Sequence, residues 1–279
     1  MKIGKMILSI IFSLLALVVS QTLSQVITSI FYLIKVPVFI CNMAAGILYV
    51  VIAYLFIKLI CEKYIKDDLG NYGIPKFKLK IQWILVAIVL PVFVLGCYML
   101  LDGSWIENPV DLKEKLNIAS SAIFFYALGA GVVEEMVFRG IILNVIEKKF
   151  NKIVAILVPS VLFGIVHILG QKFEILSCAL VIVAGTMVGI MFSLIATRGK
   201  SVWNSAIVHV FWNLLMCSGI VHIGNAVDEY SLYSYILEND SFILTGGEFG
   251  VESSAIAVAG YCIVIVVILF FKRKKVTEK

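Results

Sequence analysis

The sequence predicts an all-α, polytopic membrane protein with about eight transmembrane helices. Three observations predict it. Hydrophobic residues make up 61% of the 279 residues and charged residues only 15%, against roughly 25% charged in soluble domains. The mean hydropathy is +1.04, and the apolar residues fall in long uncharged runs rather than in amphipathic stripes. The loops between those runs alternate between basic and acidic.

The runs are 6–34, 36–57, 81–101, 118–146, 153–169, 176–196, 201–222 and 255–271. A helix rises ~1.5 Å per residue, so about 20 residues cross the hydrocarbon layer. The first run is long enough to tilt or overhang the interface, whereas the fifth and last are short but within range. None of them alternates apolar with polar residues, which excludes a β-barrel. The first run follows Lys2 and Lys5 but continues to Ile34. That is well past a signal-peptide core of roughly 7–15 residues, so it reads as an uncleaved anchor.

Orientation follows from the basic residues. Lys58, Lys63, Lys66, Lys76, Lys78 and Lys80 lie in one loop; Lys148, Lys149 and Lys152 in another; Arg198 and Lys200 in a third; Lys272, Arg273, Lys274 and Lys275 in the tail. The intervening loops are acidic, with Asp102, Glu107, Asp111 and Glu114 in one and no base at all between Gly224 and Ser254. This alternation predicts both termini in the cytoplasm and residence in a lipid bilayer, with the plasma membrane the expected one. The net charge of +5 is therefore a topology signal and does not point to a nucleic-acid partner. Cys41, Cys61, Cys97, Cys178, Cys217 and Cys262 show no CxxC spacing and read as unpaired thiols.

The whole chain, 1–279, reads as a single membrane domain. It comprises three N-terminal spans over 1–101, a core over 118–223 and a last span over 255–271. Within the eight runs, ionisable residues concentrate on three: Glu134, Glu135 and Arg139 on the fourth, His167 on the fifth, and His209 with a terminal His222 on the seventh. Charge at the bilayer centre costs at least about 2.5–3.5 kcal/mol by insertion scales, so groups that persist there face the bundle interior. Glu135 and Arg139 are four apart and can pair on one helical face, which leaves Glu134 turned about 100° away. His209 and Asn213 share a face, as do Phe163 and His167.

Taken singly, each group has a structural reading. The carboxylates and Arg139 could form an ion-pair network, and His209 with Asn213 could join helices by hydrogen bonds. His222 reads as interfacial, and the Gly185–Gly189 spacing as a close helix contact. Taken together, a carboxylate, two imidazoles and a carboxamide suit amide hydrolysis. Glu134 would deprotonate a water oriented by His167, and His209 with Asn213 would donate to the oxyanion. The same groups allow a second reading, in which Glu134, His167 and His209 hold a divalent metal such as zinc. There is no HExxH motif.

Three motifs stand in order: Glu134-Glu135-Met136-Val137-Phe138-Arg139 as EExxxR, Phe163-Gly164-Ile165-Val166-His167 as FxxxH, and His209-Val210-Phe211-Trp212-Asn213 as HxxxN. Over about residues 118–223 they resemble the CPBP family of intramembrane proteases. That family includes the type II CAAX prenyl endopeptidases and bacteriocin-processing and immunity-associated proteins. The resemblance implies eight helices with a four-helix catalytic core, and hydrolysis of a peptide bond in a membrane-associated protein or peptide. It implies Glu134 as catalytic base with His167 assisting, His209 and Asn213 as the oxyanion pair, and Glu135 and Arg139 in support. It also allows either a glutamate or a metal-dependent mechanism. The alternative expectation is a non-catalytic immunity or peptide-binding protein of the same fold. A proton-coupled transporter ranks last, because no inverted repeat is evident.

Overall fold

The computed structural model describes residues 1–169 and 174–270. The tail bases Lys272, Arg273, Lys274 and Lys275 lie outside them. Eight apolar helices appear, matching the eight runs: α1 Ile3–Leu33, α2 Val38–Ile65, α3 Ile81–Tyr98, α4 Leu112–Glu147, α5 Lys152–Val166, α6 Ile175–Gly199, α7 Val202–Met216 and α8 Ala255–Phe270. Five of these, α1 to α4 and α6, are long and apolar enough to cross a membrane, while α5, α7 and α8 are shorter apolar helices. The chain is an integral membrane protein built of helices.

The first helix shows how the lipid solvent inverts the usual pattern. Its buried positions are Met6, Ser9, Ser13, Ala16, Ser20, Ser24 and Thr28, whereas Ile7, Leu8, Ile11, Leu15 and Val18 are exposed. Burying a large side chain gains little when its alternative is lipid, so small residues take the helix contact and let the backbones approach. Each of these hydroxyls is satisfied within its own helix. Ser9 donates to Lys5 O at 2.7 Å, Ser24 to Gln21 O at 2.8 Å and Thr28 to Ser24 O at 2.9 Å.

Helix starts follow capping chemistry. Asp111 Oδ1 accepts from Glu114 N at 2.8 Å ahead of α4, Asn151 Oδ1 from Val154 N at 3.0 Å ahead of α5, and Ser201 Oγ from Trp203 N at 3.2 Å ahead of α7. Each side chain replaces a bond that a first-turn N–H would otherwise lack.

The loops sort into two ends. At one, Lys148 pairs with Asp67 at 2.7 Å, Lys5 Nζ donates to Ile65 O at 2.9 Å, Val202 N to Gly73 O at 2.8 Å, and Trp203 Nε1 to Pro75 O at 2.7 Å. These are the basic loops of the sequence. Asp67 there is held down to about 2 by bonds from Lys148 and Asn71.

The acidic loops meet at the other end in a three-stranded sheet of order β1-β3-β2, with β1 Gly103–Glu107, β2 Val221–Gly224 and β3 Tyr233–Leu237. β1 runs antiparallel to β3 with Trp105 opposite Tyr235, and β2 runs parallel to it. Tyr235 is buried, and its hydroxyl donates to Leu101 O at 2.8 Å. The sheet corrects one expectation. His222 does not end the seventh span: α7 stops at Met216 and His222 lies on β2.

Candidate active site

The fourth helix is not a uniform α-helix. Its segments Ser121–Ala130 and Met136–Ile142 are π-helical and flank one α-helical turn, Gly131–Glu135. Leu143 N accordingly bonds Phe138 O, five residues back. π-Bulges widen the helix locally and are frequent at functional sites. The short turn between them carries Glu134 and Glu135.

Glycines bring the neighbouring helices in. A Cβ on Gly131 would stand 3.0 Å from the backbone N of Val210, so α4 and α7 touch backbone to side where Glu134 and His209 face each other. A Cβ on Gly185 would stand 2.6 Å from Gly164 Cα, and one on Gly189 2.8 Å from Ser160 Cα. The Gly185–Gly189 pair therefore seats α6 against α5 at the FxxxH motif.

Behind the site lies the expected i, i+4 pair. Arg139 Nη1 donates to Glu135 Oε1 at 2.8 Å, with both side chains fully buried. Arg139 Nη2 also donates to Gly189 O at 3.2 Å, and the guanidinium lies 4.5 Å from the Phe163 ring centre and 5.2 Å from that of Phe192. Arginine's planar cation suits such a site, with forked donors at its edge and aromatic faces beside it. The arginine thus ties together α4, α5 and α6.

His209 sits between the two glutamates. Its Nδ1 is 3.2 Å from Glu135 Oε1 and its Nε2 is 3.8 Å from Glu134 Oε2. The ring stacks on Phe192, with centres 4.6 Å apart and planes at 22°, and meets the edge of Phe163 at 6.0 Å. With Nδ1–H given to the Glu135 carboxylate, Nε2 is aimed at Glu134. The sequence reading had Glu134 turned aside as a free carboxylate beside His167. In the structure it lines one cavity with His167 and approaches His209 Nε2 at 3.8 Å.

His167 caps α5, and its Nδ1 bonds Phe163 O at 2.6 Å. A carbonyl can only accept, so Nδ1 carries a proton and Nε2 is left facing away from this bond. Asn213 Nδ2 donates to Tyr126 O at 3.1 Å, in the first π-helical stretch. Glu134, His167, His209 and Asn213 line one cavity of ≈ 150 Å³, together with Tyr126, Phe163 and Trp212. Of the six residues read from the sequence, four line this cavity and two, Glu135 and Arg139, stand behind its wall.

Two further lining residues carry chemistry: Cys217 and Glu252. Glu252 comes from the loop ahead of α8. Its Oε2 accepts from Cys217 Sγ at 2.9 Å, and its backbone carbonyl accepts from the Tyr261 hydroxyl at 3.0 Å. Burial pushes its carboxyl up. No motif marks it, and only the fold back of residues 241–253 places it here.

The zinc reading finds no matching donor set. Among the described residues, no three of His, Cys, Asp and Glu are grouped so as to hold a metal ion. No step below is routed through a metal.

Residues 117–215 match the family model described as Type II CAAX prenyl endopeptidase Rce1-like. A Bacillus subtilis (strain 168) protein named "Putative membrane peptidase YdiL" is 26% identical over 154 residues, which are 53% of this chain and 59% of that protein. The match thus takes in less than two thirds of the relative's length. No solved structure matches the chain. The three motifs, the cavity they line and the family match coincide, and over residues 117–215 the chain is similar to the Rce1-like type II CAAX prenyl endopeptidases of the CPBP family.

Proposed function

We propose that the protein is an intramembrane endopeptidase that hydrolyses a peptide bond in a membrane-associated protein or peptide, using a water activated by Glu134. The observation that carries this reading is the Glu134–His209 approach at 3.8 Å across a small cavity, backed by a fully buried Glu135–Arg139 pair. A structural ion-pair network would need no cavity beside it.

In this reading the Glu134 carboxylate takes a proton from water, and the hydroxide oxygen bonds the scissile carbonyl carbon. His167 Nε2 accepts a hydrogen bond from the water and orients it. His209, its ring fixed by the contact with Glu135, donates from Nε2 to the developing oxyanion, and Asn213 donates its second amide hydrogen. Donors fixed before reaction stabilise developing charge more than mobile water does. The buried carboxylate and arginine behind them supply that fixation. The matched family model and the name of the relative support peptide hydrolysis; a prenyl group on the substrate is not required by any residue described. The gathering of basic loops at one end supports cytoplasmic termini, with the plasma membrane as the expected location.

The test is Glu134→Gln. Membrane proteomes from cells carrying wild-type protein or this variant are compared for new peptide termini, and purified protein is assayed in proteoliposomes, before and after chelation. The expected result is loss of cleavage in a variant that folds, with wild-type activity untouched by chelator. Undiminished cleavage by Glu134→Gln would overturn the reading, and loss of wild-type activity on chelation would return the metal to it.

A further inference from the structure

The hydrolysis outlined above leaves one carboxyl of the cavity unused. Glu252 faces the same space as Glu134, His167, His209 and Asn213, and its position is fixed from two sides. The Cys217 thiol donates to its side chain, and the Tyr261 hydroxyl donates to its carbonyl. The neighbouring Phe249 sets the edge of its ring against His167, with centres 6.0 Å apart. A flexible surface loop has no need of such anchoring. A carboxyl desolvated in a small cavity favours its neutral, proton-bearing form, since burial penalises the charge.

Glu252 also stands on a boundary. A second cavity of ≈ 430 Å³ lies at the sheet end and shares Cys217, Phe249 and Glu252 with the first. Its lining carries the polar side chains His222, Asn225, Asp228, Ser231 and Glu248 beside apolar ones such as Val221 and Phe249. The carboxyl therefore separates the hydrolytic cavity from a polar one.

Resting on the peptidase reading, we propose that Glu252 is a catalytic acid that protonates the leaving nitrogen and exchanges protons through the polar cavity. Amide cleavage needs such a donor, because an amine anion is not expelled. In the tetrahedral intermediate the C–N bond breaks, its electron pair stays on nitrogen, and the Glu252 carboxyl proton is transferred to it. Glu134 then releases the proton it took from water and the Glu252 carboxylate takes one up through the polar cavity, so one water is consumed and both carboxyls are restored. Two carboxyls in different surroundings, one serving as base and one as acid, divide the work. Groups that face Glu252 are Cys217 and His209 near α7, His167 at the end of α5, Glu134 on α4 and Tyr261 on α8.

The test compares wild-type protein, Glu252→Gln, Glu252→Asp and Cys217→Ala in proteoliposomes. The probe is the quenched, lipid-anchored peptide that wild-type protein cuts fastest from a peptide pool. Glu252→Gln is expected to lower kcat by about 10²–10⁴-fold, the usual contribution of a general acid, with KM kept and the alkaline limb of the pH–rate profile lost. Glu252→Asp recovers part of kcat with a shifted alkaline limb, and Cys217→Ala shifts that limb while retaining most of kcat. Wild-type kcat in Glu252→Gln, or a lowered kcat with the profile unchanged, would show a structural carboxyl and overturn the proposal. Should Glu252→Gln not fold, an unshifted limb in Glu252→Asp overturns it equally. Loss of activity in Glu134→Gln with full activity in Glu252→Gln rejects only this assignment, whereas activity in both rejects the peptidase site itself.

Discussion

The Nδ1 of His209 lies 3.2 Å from Oε1 of Glu135, the same oxygen that takes Arg139 Nη1 at 2.8 Å. One carboxylate oxygen thereby fixes both a cation and an imidazole. The consequence is directional: the ring cannot turn without giving up that bond, so its Nε2 stays toward Glu134.

His209→Gln tests whether this orientation serves catalysis. The Glu135–Arg139 pair remains intact in that variant, so the fold is expected to hold. Removal of one preorganised oxyanion donor should lower kcat by about 10²–10³-fold, with little change in KM. Steady-state kinetics beside a melting curve in detergent checks both parts. An unaltered kcat would leave His209 as packing between Phe192 and Phe163.

Arg139→Met removes the cation and leaves Glu135 buried and uncompensated. Breaking a buried pair from one side costs about 3–5 kcal/mol, whereas replacing both partners by apolar groups can be nearly neutral. The single variant should therefore be strongly destabilised, and Glu135→Leu/Arg139→Met should recover much of the loss while losing activity. Reversible unfolding of the four proteins of this cycle measures it. Equal stability of the single and double variants would show that the pair does not act as a unit.

What the sequence made legible is local. Uncharged runs gave all eight helices, since length and apolarity alone set a span, and i, i+4 spacing gave the Glu135–Arg139 pair. Two kinds of feature were hidden. The π-helical segments on either side of Gly131–Glu135 lie in an almost wholly apolar run, where no polar spacing marks a change of helix type. The pairing of 103–107 with 233–237 joins residues some 130 apart, and no periodicity announces contacts at that separation. Glu252 was hidden for the same reason. It sits among acids that read as a solvated loop, and only the return of that loop over α7 places it beside Cys217.

Gly185→Ala tests how tightly the FxxxH helix is positioned. The added methyl would meet Gly164 Cα at 2.6 Å, and backbone cannot yield as a side-chain tip can. Overpacking of this kind costs about 1–3 kcal/mol, and relief requires α5 and α6 to separate next to His167. Activity should fall more than stability, with Gly96→Ala as control, since nothing lies within 4 Å of a Cβ there. Comparable kinetics in the two variants would count against close seating of α5 on α6.

Asp67 and Lys148 give a pH dependence outside the membrane. Asp67 is held at about 2, against an ordinary 3.8, chiefly by bonds from the Lys148 ammonium and the Asn71 amide. A carboxyl whose folded value is depressed contributes stability that is complete above its unfolded value and is lost as pH falls through the folded one. The contribution should thus be present above pH 3.8 and disappear between 3.8 and 2. Because the pair is exposed to solvent, the effect should be small and weakened by salt. In Asp67→Asn the corresponding slope should be missing from a plot of melting temperature against pH at low ionic strength. Superimposable slopes in wild type and variant would mean that the basic loops are held by their backbone bonds, Val202 to Gly73 and Trp203 to Pro75, and not by this pair.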